Sequence, residues 1–583
     1  MIQRSVVRVW RFARTIRHLR MAQMAQRIRI RAQLQVLAQL GPVAEPCLRP
    51  RRHRTLGWPT HFAALDARCP PAAGTAEDIA TGTFCFLRQS RSLGDPPDWA
   101  QRGAERLWRF HLNYLEWAWL FAEHPNRRWA RSNFARLWQS WKAASALGVG
   151  DAWSPYVASL RAWALCGVYE SLIAGSEIEQ SCTTELTLLC KFLRYHLEFD
   201  VGGNHLIKNL KAVIGLGVAF DNERLVASGI RHLRHQLAIQ VLDDGGHYER
   251  SPFYHAQVLG DLIDMANLLR AAGHPSLCSL DNAVGAMRSW LGRMIMKDGD
   301  IPLFNDSTLV GTDRLRLLEP MSVPPALVEV LQPSGYVVMQ PDRHLHLVAD
   351  CGLPCPVDLP AHCHADGLSF ELAVDGQRVI VDSGTSTYEQ GPRRDYERST
   401  WAHNTVTVDG SNQTEVWGAF RAGRRAHPRL DQVLESPSSV SVTASHDGYR
   451  YLAGRPLHRR TWKASPARIE IIDELIGSGY HEATGVLHLA PDAAVACIER
   501  GVFLIGSLRV AIADPTALKI SIEPPGQWPE GFVASSFGPL SPASCVLITA
   551  NGWLPLRIQV TVTLEKDCVT GQGHELAAGG GNW

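Results

Sequence analysis

Residues 335–350 read GYVVMQPDRHLHLVAD, and the hydrophobic pattern of the chain changes at this point. From here onward apolar residues recur in short runs with a period of two, and the runs 368–374 and 405–408 each end at an Asp-Gly turn. Repeated short strands with such turn signals are typical of an antiparallel β domain of sandwich type. The stretch therefore predicts a β domain over residues 331–583.

Before this stretch the apolar residues are spaced as on one face of a helix. Trp108, Leu112, Leu115 and Trp119 form one such set. Short polar breaks divide the region into seven or eight helices, which is typical of stacked antiparallel helix pairs. We therefore predict an α+β multidomain protein whose helical domain occupies residues 101–330.

The first 55 residues differ in charge from the rest of the chain. They hold thirteen arginines, no lysine and one acid, Glu45, a net charge of +12 in a chain whose total is +2. Arginines at every third position from Arg8 to Arg20 line one side of a predicted helix. This basic arm either binds an anionic membrane surface, nucleic acid or acidic polysaccharide, or is a solvated or docked helix face. We favour the second reading and expect no nucleic-acid partner. The arm and a Pro/Gly-rich connector from about residue 44 fill residues 1–100.

Cysteine usage and the N-terminus set expectations about location. Thirteen scattered cysteines without a CxxC pair are typical of free thiols in a reducing compartment. Arginines interrupt every early apolar run that a secretory signal needs, and no stretch approaches the roughly 18 apolar residues of a membrane span. We therefore expect a cytoplasmic protein without a transmembrane segment, with a periplasmic or cell-surface place as the alternative.

Two clusters of polar residues stand at predicted helix starts. In the first, 202–205 (GGNH), Asn204 and His205 lie near backbone N–H groups and the positive end of a helix dipole, which suits a carboxylate. Alternatively, Asn204 only caps the helix. In the second, 243–255 (DDGGHYERSPFYH), Tyr254 falls on the first turn of a helix, where its phenol can exchange a proton. Taken alone, this cluster also fits a polar capping loop.

Two further clusters follow in the β domain. His362 and His364 are spaced two apart, so on a strand they would share one face. Asp382 lies across a predicted hairpin, and His403 enters the next strand with a further nitrogen. Two imidazoles with a carboxylate suit a divalent metal such as zinc.

These clusters, in this order, resemble the heparinase II/III family of polysaccharide lyases. The stretches that carry the resemblance are 204–205 (NH), 249–255 (ERSPFYH), 304–307 (FNDS), 362–366 (HCHAD) and 397–405 (ERSTWAHNT). The resemblance covers nearly the whole chain. It implies an incomplete (α/α) toroid of antiparallel helix pairs followed by an antiparallel β-sandwich domain.

The resemblance also implies β-elimination on an acidic polysaccharide that contains uronic acid. A C5 proton next to an ionised carboxylate is very weakly acidic, so the enzyme must first neutralise that carboxylate. A base then removes the proton while an acid protonates the O4 leaving oxygen. By analogy, Asn204 with His205 or His362 neutralises the carboxylate. Tyr254 is the acid, and also the base for syn elimination, while His205 is the base when the proton lies on the opposite ring face.

Further residues follow from the same resemblance. One structural zinc ion per chain is expected on His364, Asp382 and His403, where it orders the loop that places His362 over the cleft. Substrate binding is expected of Arg250, His255, Tyr396 and Arg398.

Two other functions remain open at this point. (α/α) toroids also host glycoside hydrolases, and Glu116, Asp151 and Glu249 are available carboxylates, although no pair is recognisable. A non-catalytic glycan-binding or assembly protein of an exopolysaccharide system would keep the cleft without the chemistry.

Overall fold

The computed structural model describes residues 2–49, 56–69 and 74–565. Its α-helices are α1 (Ile2–Ile16), α2 (Met21–Leu48), α3 (Leu65–Arg68), α4 (Ala76–Ala80), α5 (Arg106–Tyr114), α6 (Ala118–Ala122), α7 (Arg127–Ala144), α8 (Pro155–Gly167), α9 (Glu179–Leu193), α10 (Gly203–Ala219), α11 (Glu223–Gln240), α12 (Pro252–Ala271), α13 (Cys278–Met294), α14 (Thr312–Leu318) and α15 (Pro392–Glu397). Its strands are β1 (Thr83–Phe86), β2 (Gln89–Ser92), β3 (Val328–Leu331), β4 (Tyr336–Met339), β5 (Leu345–Asp350), β6 (Phe370–Val374), β7 (Gln377–Ile380), β8 (Val406–Val408), β9 (Val416–Trp417), β10 (Arg421–Ala422), β11 (Arg429–Ser436), β12 (Ser439–His446), β13 (Leu457–Ser465), β14 (Arg468–Ile476), β15 (Tyr480–His488), β16 (Val495–Glu499), β17 (Val502–Ile505), β18 (Leu508–Ile512), β19 (Lys519–Glu523), β20 (Phe532–Val533), β21 (Ser541–Pro542), β22 (Cys545–Trp553) and β23 (Leu556–Leu564).

The basic arm is helical for longer than the sequence predicts. Helix α2 continues to Leu48 through Pro42 and Pro46, past the predicted start of the connector. Each proline removes one helical hydrogen bond. Close packing on the helical domain compensates, because a Cβ on Gly41 would lie only 2.3 Å from the carbonyl oxygen of Leu147. Tertiary contact therefore outweighs the local signal.

Residues 102–296, all of them described, hold nine α-helices, α5 to α13, against the seven or eight predicted, and α14 follows as the tenth α-helix of the helical domain. One difference arises at Leu115, whose left-handed backbone (φ 58°) separates α5 from α6 inside a stretch that reads as one helix. Helix α10 packs on α8, α11 and α12, and α12 also packs on α13. The core of the first half is rich in buried tryptophan, and that of the second half is aliphatic.

The β domain consists of antiparallel sheets around one core. The three largest sheets among the described residues have the strand orders β3-β4-β5-β6-β7, β11-β12-β13-β14-β23-β18-β17-β16 and β19-β22-β15-β8. Alternate side chains from all three, such as Leu347, Trp462 and Ile548, enter a shared hydrophobic core. The period-two runs of the sequence coincide with strands β4 to β8.

A small apolar cluster joins the two domains and fixes the loop between them. Trp290 and Met294 of α13 pack with Phe304, Tyr336 and Val348. Phe304 belongs to this linking loop, which therefore enters the domain boundary at a fixed position. No helix among the described residues is both long and apolar enough to cross a bilayer.

Candidate active site

The first side of the site is the N-terminus of α10. Gly202 and Gly203 have positive φ angles of 74° and 55°, and a Cβ on Gly203 would lie 1.7 Å from Oε1 of Glu249, so only glycine fits there. The N-cap position is Gly202, and Asn204 is a buried residue inside the helix. Both the backbone N–H (2.8 Å) and Nδ2 (3.2 Å) of Asn204 donate to Oε1 of Glu249. The simple capping alternative for Asn204 is therefore wrong.

Tyr254 lies on the first turn of α12, as the sequence predicts. Ser251 caps this helix by accepting from the Tyr254 N–H at 3.3 Å. The phenol oxygen of Tyr254 lies 2.8 Å from that of Tyr388, and its ring stacks on the imidazole of His362 with 3.7 Å between ring centroids. Burial raises the pKa of Tyr254 well above its ordinary value, and neighbouring Tyr388 and Asp306 raise it further. Tyr254 is therefore a protonated phenol at neutral pH.

A buried carboxylate, Asp306, lies at the centre of the site. Oδ2 accepts from Nδ1 of His362 at 3.0 Å, and Oδ1 accepts from Nε2 of His364 at 2.8 Å. Arg394 donates to both oxygens, at 2.5 and 2.8 Å, in a bidentate pair. Burial favours the neutral acid, but Arg394 and the two histidines outweigh it and hold the pKa of Asp306 well below its usual range. As the shared hydrogen-bond acceptor, Asp306 thus fixes the orientation of both imidazoles.

The two histidines do not lie on a strand, so the predicted shared strand face is wrong. Residues 359–369 form an irregular loop between β5 and β6, and the imidazoles converge because both bind Asp306. Arg398, predicted to bind substrate, is buried, and its guanidinium donates hydrogen bonds to backbone carbonyl oxygens. It donates twice to Cys363 (3.0 and 2.9 Å) and once to Gly418 (2.7 Å). In this arrangement Arg398 supports the loop from behind.

His205 lies beside Asn204 on α10 and is partly exposed, with 35% of its side chain accessible. Its Nδ1 lies 3.1 Å from Oε1 of Glu198, and its ring lies against Tyr156 at 4.3 Å. Burial lowers the pKa of His205, but the Glu198 carboxylate outweighs it, and the net pKa is raised. A carboxylate on Nδ1 fixes the tautomer whose Nε2 carries a lone pair.

Three buried atoms near His364 have no hydrogen-bond partner among the described residues. They are Nδ1 of His364, Oδ1 of Asp366 and Nε2 of His403. These three residues can bring their ligand atoms within 4.8 Å of one another. Burial lowers the pKa of His364 to about 3, so its imidazole is neutral. The neutral nitrogen of His364, together with the imidazole of His403 and the carboxylate of Asp366, forms a donor set of the type that binds a divalent metal.

The cluster differs from the predicted zinc ligands at one position. Asp382 lies behind His403, with Oδ2 2.8 Å from its Nδ1, and Asp366 takes the third position. A carboxylate that holds the far nitrogen of a ligand histidine is a common second partner in metal sites. We refer to His364, Asp366 and His403 as the open triad.

The other three residues predicted to bind substrate occupy different places. His255 is fully buried, with Nε2 3.0 Å from the carbonyl oxygen of Met287, so it lies in the helical core. Arg250 donates to the Ser334 carbonyl at 2.6 Å, at the domain boundary. Tyr396 is half-buried on the C-terminal turn of α15. Within the described residues, no hydrogen bond, ion pair or ring contact joins the side chain of any of these three to Tyr254 or Asn204.

The sequence assigns no role to the central residue Asp306, and it places Arg394 near the site only as a positive group, without indicating that the two residues pair. Asp306 lies within the stretch 304–307, which carries part of the family resemblance, and this is the sequence feature that could have indicated a role for it. Arg394 lies 88 positions away from it, and its guanidinium also packs over the Tyr388 ring at 4.9 Å. Glu249 was noted only as a free carboxylate, whereas it accepts from Asn204.

Two family descriptions match successive parts of the chain. The description "Heparinase II/III N-terminus" matches residues 99–318, and "Heparinase II/III-like, C-terminal" matches residues 324–561. Together they include every residue of the candidate active site.

Individual relatives are more distant. "FtsZ-localized protein C" of Caulobacter vibrioides is 27% identical over 279 residues, 44% of this chain and 48% of that protein. "Heparin-sulfate lyase" of Bacteroides stercoris is 22% identical over 316 residues, 48% of this chain and 45% of that protein. The chain thus matches about half the length of these relatives.

Solved structures show the fold. "Heparinase III" superposes with a TM-score of 0.71 at 15% identity, over 90% of this chain and 89% of that one. The heparan sulfate lyase of Pedobacter heparinus gives a TM-score of 0.54 at 17% identity, over 84% and 82% of the two chains. The predicted fold class, a helical toroid followed by an antiparallel β domain, is confirmed. With both family descriptions matched in order over most of its length, the chain belongs to the heparinase II/III-like family.

Proposed function

We propose that the protein is a polysaccharide lyase that cleaves a polymer containing uronic acid by β-elimination. The observation that carries the proposal is the meeting of three groups from separate elements. The Tyr254 ring of α12 stacks on His362 of the β domain, and Nδ2 of Asn204 on α10 lies 3.4 Å from Nε2 of His362. An acid and two hydrogen-bond donors for a carboxylate thus occupy one buried site.

Neutralisation of the substrate carboxylate is assigned to Asn204 and to His362 in its doubly protonated form, in which Nδ1 donates to Asp306 and Nε2 is a second donor. Both already face a carboxylate, because Oε2 of Glu249 lies 3.0 Å from Nδ2 of Asn204 and 3.5 Å from Nε2 of His362. Donors preorganised around negative charge lower the cost of forming the carbanion-like intermediate at C5. A uronate carboxylate would share these donors at the edge that faces the cleft.

The proton transfers are assigned to Tyr254 and His205. A phenol with a raised pKa holds its proton at neutral pH, so Tyr254 suits the acid that protonates the O4 leaving oxygen. His205 is partly exposed and has Glu198 on Nδ1, which leaves the Nε2 lone pair as the base for the C5 proton. This pair corresponds to anti elimination.

We further propose that the open triad holds one zinc ion. Its three unpartnered ligand atoms support this, and Asp382 supports His403 from behind. Bound zinc would supply a structural cross-link between the 359–369 loop and the strand entry at His403. A fixed His364 would hold Asp306 in place, and Asp306 in turn would orient His362. No proton-transfer step involves the metal.

The decisive experiment is an ultraviolet elimination assay with a panel of alginate, glycosaminoglycans and bacterial exopolysaccharides. We expect the absorbance of a conjugated unsaturated uronate to appear with one of these polymers. Tyr254→Phe should lose activity by roughly 10²-fold or more, because it removes the acid but keeps the ring. Tyr195→Phe, on a 62% exposed tyrosine, is the matched control and should keep full activity.

Three outcomes contradict the proposal. New reducing ends without the chromophore indicate a glycoside hydrolase. Binding of a polymer without turnover indicates a non-catalytic glycan-binding protein. Full elimination activity in a folded Tyr254→Phe protein excludes the assigned role of the phenol.

A further inference from the structure

The N-terminal arm presents large apolar side chains to solvent, although it is rich in arginine. On α1, Val9 and Trp10 are 67% and 62% exposed. On α2 the exposed large apolar residues are Met21, Ile28, Val36, Leu40, Val43 and Leu48. The first five recur at intervals of three, four, seven or eight, so they form a ridge along one side of the helix. We call these five residues the apolar ridge.

The opposite face of the arm is fastened to both domains. Arg14 on α1 donates to Glu415 of the β domain, with Nε 2.7 Å from Oε2. Arg27 on α2 donates to the carbonyl oxygen of Asp200 in the helical domain at 3.2 Å. These contacts agree with the prediction that the arginine-rich arm is docked on the rest of the chain. Because the arm is held from this side, the apolar ridge faces outward.

The exposed charges beside the ridge are all positive. Arg17, Arg29 and Arg31 are exposed on the arm. The one acid of residues 9–49, Glu45, is buried, with Lys142 3.3 Å away. The outer face of the arm therefore combines apolar side chains and cations with neutral glutamines and presents no carboxylate. The exposed glutamines of α2 are Gln35 and Gln39.

We propose that this outer face binds the surface of a bilayer containing anionic lipid. Helices that present exposed apolar side chains together with arginines can lie in the membrane interface, with the apolar side chains at the acyl boundary and the arginines at the headgroups. The apolar ridge from Met21 to Val43 is about 33 Å long at about 1.5 Å per residue, and Trp10 on α1 suits the interfacial region. An acidic polysaccharide would match the arginines but would leave the ridge in water, so lipid is the better occupant.

The proposal is independent of the enzymatic one. Because the arm is fastened to both domains, lipid binding would hold the whole body at the membrane in one orientation. The helices would lie on the surface without spanning it.

Co-sedimentation of the full-length protein with vesicles tests the proposal. We expect binding to phosphatidylcholine vesicles that contain phosphatidylglycerol, and weaker binding to pure phosphatidylcholine. The double variant Ile28→Glu/Val36→Glu should lose binding by about tenfold or more. Arg29→Gln and Arg31→Gln should each weaken binding to the anionic vesicles by about fivefold.

The control is Trp553→Glu, which changes an equally apolar and 73% exposed residue on β22 and should leave binding unchanged. Circular dichroism confirms that each variant is folded. Failure of the wild-type protein to sediment with anionic vesicles overturns the proposal, as does wild-type binding by Ile28→Glu/Val36→Glu. Self-association that the double variant abolishes, without vesicle binding, would assign the ridge to a second copy of the chain and overturn it equally.

Discussion

The two ring nitrogens of His364 face two clusters that are equally buried but differently satisfied. Nε2 faces Asp306, which accepts from His362, His364 and Arg394. Nδ1 faces the open triad, where three buried polar atoms have no hydrogen-bond partner among the described residues. A buried polar atom without a partner costs about 1–3 kcal/mol. The Asp306 cluster is thus complete without a ligand, whereas the open triad needs one.

The difference assigns separate roles to the two clusters. A satisfied network of charged hydrogen bonds holds its members in one geometry, which suits a group that positions His362. An unsatisfied set of lone pairs aimed at one point is stabilised by a cation. The two roles can be tested separately, because a single substitution alters either cluster.

The largest effect is expected from Asp306→Asn. The change leaves Arg394 buried without its carboxylate and deprives His362 and His364 of their shared charged acceptor. Removing one partner of a buried ion pair costs about 3–5 kcal/mol, so the free energy of unfolding in urea should fall by that amount, with elimination activity lost.

The matched control for this change is Asp313→Asn, whose side chain is 86% exposed beside Arg316. It should alter the free energy of unfolding by no more than about 0.5 kcal/mol. If Asp306→Asn unfolds at the wild-type urea concentration, the central role of this carboxylate is wrong.

A smaller effect is expected at the open triad. His403→Ala removes one of the proposed ligands but leaves the Asp306 network intact, so the proposed zinc and part of the thermal stability should be lost. Elemental analysis and thermal unfolding with and without a chelator measure both. His427→Ala, on an exposed histidine, should keep the metal. Zinc retained in His403→Ala would show that the ligand set is wrong.

Asp382→Asn and Asp366→Ala together test which of the two carboxylates is the direct metal ligand. Asp382 holds Nδ1 of His403 at 2.8 Å, while Asp366 is the triad member. We expect zinc affinity to fall by about 10–100-fold in Asp382→Asn, and binding to be abolished in Asp366→Ala. The reverse order, measured by competition with a chromophoric chelator, would restore Asp382 as the direct ligand.

Much of the fold follows from the sequence, because periodicity reports local burial directly. The strand from Tyr336 to Met339 and the first turn of α12 at Tyr254 are predicted within a residue or two. The break at Leu115 was missed, because a single left-handed residue leaves the apolar spacing unchanged. Helix α2 was shortened because proline is a strong local signal, and the contacts that sustain it come from residues over 100 positions away.

The site was predictable only where one short stretch carries the chemistry. Asn204, Tyr254 and His362 each stand in a recognisable motif. The Asp306–Arg394 pair joins the loop at Asp306 to helix α15, 88 positions further along the chain, and spacing in sequence does not reveal such a pairing. The choice between Asp366 and Asp382 as metal ligand depends on side-chain direction in an irregular loop, which spacing along a chain does not encode.

The smallest effect is expected at His205, the proposed base. Burial lowers the pKa of His205, but the Glu198 carboxylate outweighs it and the pKa is raised. In Glu198→Gln the carboxylate is gone and burial remains, so the pKa of His205 should fall. A base works in its neutral form, above its pKa, so the acidic limb of kcat/KM should move to lower pH.

Glu177→Gln, on an exposed carboxylate hydrogen-bonded to Gln139, is the matched control and should leave the pH profile unchanged. The size of the shift follows from position. His205 is 35% exposed, so solvent screens its partner and the expected shift to lower pH is small. An acidic limb that stays in place in an active Glu198→Gln protein would remove His205 as the base. Tyr254 would then be the acid and the base of a syn elimination, because its phenol is the remaining proton-transfer group stacked on His362.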